Sequence, residues 1–206
     1  MSIITLNNRG VKDATAIGSV TSLGNMIFIK KLTASSSATL SFVDGSSDVV
    51  LDDTYKEYLF TFNNIHPETN STAIKFNMST DTGSNYNVAK TTTAFYAYHN
   101  EAGNDAAVGY VTGEDHAQDT GFAFLSNGTG NDNDQTVSGY MHLYNPSSTT
   151  FVKHFISKMS NYGPSDYAYE WNIAGYGNTT SAVDAVQFKM SSDAIDAGDI
   201  CLYGIL

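Results

Sequence analysis

From Thr136 to Met159 the chain alternates with period two on both sides of a turn. In the first half Val137, Gly139, Met141 and Leu143 fall on one side, and Tyr140, His142 and Tyr144 on the other. In the second half Phe151, Lys153, Phe155, Ser157 and Met159 face away from Val152, His154, Ile156 and Lys158. Successive side chains of a strand point to opposite faces, so each half reads as a strand with one buried side. Between them, Asn145-Pro146 and a run of hydroxyl residues starts a turn and cannot continue a ladder. A central β-hairpin is the expectation, and it restricts the fold to those that bury one face of an antiparallel sheet.

The same alternation recurs along the chain. Leu40 and Phe42, Tyr58, Phe60 and Phe62, Ile74, Phe76 and Met78, and Val186, Phe188 and Met190 each mark one side of a short strand. Phe95, Ala97 and His99 alternate with Tyr96 and Tyr98, and Tyr167, Tyr169, Trp171 and Ile173 share a face. Turn signals separate these runs at Asp44–Asp48, Asp81–Asn85, Asn127–Asp134, Tyr162–Asp166 and Asp193–Gly198. Thr112–Asp119 is polar and has room for a helical turn, but no longer stretch carries helical periodicity. The predicted fold is all-β: one antiparallel β-sandwich with very little helix. Long excursions between some strands favour a jelly-roll-like order over a meander. The predicted core is Leu40, Phe42, Phe60, Phe62, Ile74, Phe76, Met141, Leu143, Val186, Phe188 and Leu202.

A chain of 206 residues suits one such domain. It can bury roughly 70% of its unfolded surface, enough to fold without a metal or a disulfide. The single cysteine, Cys201, cannot form an intrachain disulfide and reads as a small apolar residue of the last strand. Residues 1–25 differ in texture. Ile3, Ile4, Leu6, Val11, Ile17, Val20 and Leu23 are broken by Gly10, Gly18 and Gly24 into pieces too short for long strands. They suit an N-terminal docking arm, or a first edge strand, ahead of a body spanning 26–206. The opening has no apolar stretch of the kind a signal peptide carries, and no run is long enough to span a membrane as a helix. Asn70, Asn77, Asn127 and Asn178 match the glycosylation pattern, as chance alone provides in a chain this rich in Asn, Ser and Thr.

The net charge of -11 repels phosphate backbones, which argues against nucleic acid as a partner. Motif by motif, chemistry finds little support. His66, His99, His116, His142 and His154 have no metal-site companions at ligand spacing. Glu114-Asp115-His116 is the one local cluster of titratable groups; it is either an acid–base pair or a solvated loop. Asn131-Asp132-Asn133-Asp134 is dense in oxygen ligands suited to calcium, but lacks the spacing of an EF-hand loop. Asp48, Asp52 and Asp53 form a weaker acidic group. The stripe Tyr167, Tyr169, Trp171 is either core, a subunit interface or a platform on which sugar rings stack. No catalytic, cofactor or metal residue is assigned, and the chain is expected not to be an enzyme.

Several stretches resemble a family of virion proteins encoded by marine tailed bacteriophages, especially those of cyanobacteria and other ocean bacteria. They are Asp53-Thr54-Tyr55-Lys56-Glu57-Tyr58-Leu59-Phe60 with Asn64-Ile65-His66-Pro67, and Ala97-Tyr98-His99-Asn100. The longest runs from Leu143-Tyr144-Asn145-Pro146 to Lys153-His154-Phe155. The last are Val186-Gln187-Phe188-Lys189-Met190-Ser191-Ser192, Ile195-Asp196-Ala197-Gly198 and Leu202-Tyr203-Gly204-Ile205. The likeness covers the chain from about residue 26 onward. It carries no catalytic signature. It implies a structural part of the particle, either capsid decoration, a head fibre or a tail fibre, assembled in the host cytoplasm. The implied partners are other virion proteins and further copies of the chain; the charge and the lack of a long apolar run argue against nucleic acid and a membrane. The alternative is a tail adhesin that binds a host-surface glycan. An envelope depolymerase stands third, because no carboxylate pair stands out.

Overall fold

The computed structural model describes residues 25–206. The expected N-terminal arm therefore lies outside the described residues, apart from its last position. Thirteen strands follow in order: β1 (Met26–Thr33), β2 (Leu40–Val43), β3 (Glu57–Pro67), β4 (Ile74–Ser79), β5 (Lys90–Asn100), β6 (Ala106–Tyr110) and β7 (Ala117–Asp119). Then come β8 (Ala123–Phe124), β9 (Val137–Tyr144), β10 (Lys153–Gly163), β11 (Tyr167–Gly177), β12 (Ala185–Met190) and β13 (Ile195–Ile205). No helix occurs among the described residues. Thr112–Asp119 forms a turn and the short β7 rather than a helical turn; its Ala117 and Asp119 pair with β5 instead.

The strands form two antiparallel sheets. A nine-stranded sheet runs β1-β13-β3-β9-β10-β11-β5-β6, with β7 also paired to β5. A four-stranded sheet runs β2-β12-β4-β8. Successive strands often lie in different sheets, as the long excursions of a jelly-roll-like sandwich require. The predicted hairpin is present: Leu143 pairs with Phe155, Met141 with Ser157 and Gly139 with Met159. It sits in the middle of the large sheet, flanked by β3 and β11.

Every residue of the predicted core is buried. Phe188 is its centre. Its ring meets Phe42, Phe60 and Phe62 edge to face, at 6.2, 5.2 and 5.1 Å between centroids. Each such pair adds about 0.5–1.5 kcal/mol beyond the area it buries. Phe42 and Phe188 come from the small sheet, Phe60 and Phe62 from the large one, so the cluster locks the two layers together. Cys201 is buried in β13 as the sequence suggested.

Two lysines are fully buried as well. Lys153 donates to the carbonyls of Ser148 at 2.7 Å, Phe151 at 2.7 Å and Thr179 at 3.1 Å. An ammonium has three protons, and all three are used. The side chain thus ties the β9–β10 turn to the loop after β11, although burial still pulls its pKa down. Lys90 donates to Asn77 Oδ1 at 2.6 Å and to the Val88 carbonyl at 2.8 Å, and burial lowers its pKa to about 8. Asn77 is itself fully buried, so this sequon is sealed inside the fold.

Asp193–Gly198 is only partly the turn that its composition predicts. β13 begins at Ile195, and its pairing with β3 slips twice before Asp199. Asn64 and Gly198 face each other across this irregularity with φ of 50° and 115°. A Cβ on Gly198 would stand 2.5 Å from the Asn64 carbonyl oxygen, so this position needs glycine on steric and conformational grounds alike.

Candidate functional site: an aromatic groove on the overhang

The two sheets are unequal, and the mismatch makes a groove. The small sheet ends at β8, whose two residues pair only with Lys75 and Phe76 of β4. The large sheet continues past it through β11, β5 and β6. Among the described residues no small-sheet strand pairs beyond β8, and the inward face of these strands is half-exposed over its last few residues. It is built of large aromatic side chains. Trp171 pairs with Tyr96, Tyr169 with Tyr98 and Tyr167 with Asn100. Two rows of rings therefore lie side by side on one face. Tyr96 stacks on Trp171 at 5.0 Å and on Tyr98 at 5.6 Å, and Tyr167 stacks on Tyr169 at 5.7 Å. Tyr98 contacts both Tyr167 and Tyr169 at 5.7 Å, which closes the layer.

Loops supply the walls. Val111, Glu114, Asn127 and Gly128 form one side and Asp105 the far end, around a cavity of about 510 Å3. That volume falls within the ~300–1,000 Å3 of small-molecule clefts. Gly163 sets the depth of the floor. A Cβ there would stand 2.5 Å from the Tyr169 ring and 2.8 Å from the Gly128 carbonyl oxygen, so only glycine lets floor and wall meet.

The polar groups are few and placed. Asp105 accepts from the Tyr167 hydroxyl at 2.8 Å and from the Tyr98 hydroxyl at 3.4 Å. The hydrogen bond to Asp105 lifts the Tyr167 phenol above its ordinary pKa; burial, with Asp105 adding, does so for Tyr98. Glu114 Oε1 accepts from Asn127 Nδ2 at 2.6 Å. Its other oxygen, Oε2, is buried and has no hydrogen-bond partner among the described residues. Burial raises the Glu114 pKa, against the opposing hydrogen bond from Asn127 and the charge of Lys75. Trp171 is 5% exposed, and its indole N–H is also without a partner among the described residues. Among the described residues no Lys, Arg or His lines the groove.

The stripe Tyr167, Tyr169, Trp171 thus divides. Trp171 touches the core at the inner end, while Tyr167 and Tyr169 are half-buried in the groove. Glu114-Asp115-His116 does not act as a cluster. Glu114 enters the groove, Asp115 accepts from the Tyr110 hydroxyl at 2.5 Å, and His116 is buried 3.4 Å from Asp119. The other histidines scatter: His66 lies 3.3 Å from Asp196, His142 binds Glu57, and His154 packs on Tyr176. In the Asn131–Asp134 loop, Asn131 Nδ2 donates to the Glu68 carbonyl at 2.9 Å and the Asp132 N–H donates to Gln135 at 3.1 Å. Among the described residues no group of three or more His, Cys, Asp or Glu is arranged to hold a metal. Nothing in the sequence marks Tyr96, Tyr98, Asp105 or Asn127 as a site residue. The alternation placed Tyr96 and Tyr98 on a common face, but nothing in it paired that face with a strand about 70 residues on.

No family model, curated protein or solved structure matches the chain.

Proposed function

We propose that the protein is an exterior structural component of a tailed-phage particle, as its resemblance to marine phage virion proteins implies. In this reading residues 1–25 dock on the particle and the sandwich from Met26 faces solvent. The observation that carries it is the outer face of the large sheet. By strand register, one row of outward residues runs Phe28, Tyr203, Leu59, His142, Ile156, Ala174, Thr93. A neighbouring row runs Tyr140, Lys158, Asn172, Phe95, Tyr110. Phe28 is 56% exposed, Tyr110 55% and Ile156 50%. A broad sheet face rich in exposed apolar side chains suits burial against a neighbouring subunit. The net charge of -11 keeps such a chain soluble before assembly and opposes contact with nucleic acid. No described helix is long and apolar enough to cross a membrane. The chain acts by contact and not by catalysis.

Quantitative mass spectrometry of purified particles tests this. The protein is expected in fixed stoichiometry with the particle: hundreds of copies for capsid decoration, a few or a few dozen for a tail or fibre. Deletion of residues 2–24 is expected to leave the sandwich folded and remove it from particles. A protein found only in the lysate would overturn the reading.

The groove favours a second reading, that of a module binding host-surface glycan. Aromatic faces with nearby carboxylate and amide groups suit the apolar faces and hydroxyls of sugar rings.

A further inference from the structure

We propose that the groove on the overhang of the large sheet binds a neutral hexose-based glycan, and that Asp105 and Glu114 make it reject acidic sugars. The inference rests on the glycan-binding reading and adds the class of glycan.

The floor argues for sugar rings. Tyr96, Tyr98, Tyr167, Tyr169 and Trp171 form one continuous aromatic layer, open on the side away from the sheet. The flat apolar face of a pyranose stacks on such rings, and the layer is long enough for successive rings of a chain. A purely apolar ligand fits less well, because Asp105, Glu114 and Asn127 stand at the margins of the floor.

The margins argue for hydroxyls. Glu114 is held by Asn127 through one oxygen only, and its buried Oε2 has no partner among the described residues. Asp105 is steered by two tyrosine hydroxyls, which leaves lone pairs for a further donor. Asp105 is the exposed acceptor at the margin of the floor, open to a ligand that donates.

The charge fixes the class. Among the described residues two carboxyl groups and no cationic side chain line the site. A uronic acid, sialic acid or sulfated sugar would bring a like charge beside Asp105 and Glu114. The chain's own net charge of -11 adds to it. A neutral sugar meets no such barrier.

Isothermal titration calorimetry on the full chain tests this, with neutral oligosaccharides of glucose, galactose, mannose and N-acetylglucosamine against uronic-acid and sialylated counterparts. At least one neutral series is expected to bind, with acidic counterparts weaker by about tenfold or more. Tyr98→Ala is expected to weaken neutral binding by about tenfold, circular dichroism confirming the fold. Asp105→Asn with Glu114→Gln, which keeps the shapes and removes the charges, is expected to narrow the gap between neutral and acidic sugars. Acidic sugars that bind as well as neutral ones would overturn the charge filter and leave the glycan-binding reading standing. Failure of every glycan to bind would overturn both. Shortened oligosaccharides after incubation would mean that the carboxyl groups cut the chain, which contradicts a binding site.

Discussion

Single residues decide whether the groove exists. Gly163 is the clearest case, because an added Cβ would collide with both the Tyr169 ring and the Gly128 carbonyl. Gly163→Ala should push Tyr169 off the floor and cost about 1–3 kcal/mol, the usual range for overpacking. Thermal denaturation measures the loss, and an unchanged melting temperature would mean that floor and wall separate freely. Glu114 gives a pH-dependent test. Its folded pKa is raised by burial, so the folded state holds its proton to higher pH than the unfolded state. Stability therefore falls as pH rises through the window between the two values. Glu114→Gln removes this loss. The variant should melt with the wild type well below about pH 4, where both side chains are neutral, and above it at neutral pH. A wild type that is the more stable partner at neutral pH would show that Asn127 and Lys75 outweigh burial.

At the scale of strands, the two faces of the large sheet have separate work. The inner face holds the core and then the groove; the outer face carries the apolar rows. Ile156 and Phe95 stand on this outer face, 50% and 47% exposed. Ile156→Asp with Phe95→Asp should leave far-UV circular dichroism unchanged and convert an oligomer to a monomer in light scattering. A wild-type chain that is already monomeric would remove the outer face from the account. Period-two alternation made these faces legible in the sequence. It placed Lys153 with Phe155 and Met159, and Tyr169 with Trp171, where the structure has them. It could not show which strands are neighbours. β5 and β11 are neighbours although β6 to β10 intervene in the chain, so the two halves of the aromatic floor were visible only as separate stripes. Asp105, Glu114 and Asn127 sit in loops without periodicity, and their meeting is a product of the fold alone.

For the whole molecule, the governing fact is the unequal size of the layers. The aromatic cluster around Phe188 closes the sandwich where both sheets are present. Among the described residues the small sheet has four strands to the large sheet's nine, and Tyr96, Tyr98, Tyr167 and Tyr169 line an open groove. Trp171 is the one tryptophan of the chain and lies at the inner end of that groove. Its fluorescence therefore reports on the groove without a label. A neutral oligosaccharide titrated into the full chain should change the Trp171 emission saturably, at the concentrations at which calorimetry detects binding, and Tyr98→Ala should blunt the change. Sugars that bind with no response from Trp171, or no binding by any sugar, would contradict the claim that the overhang is a glycan site.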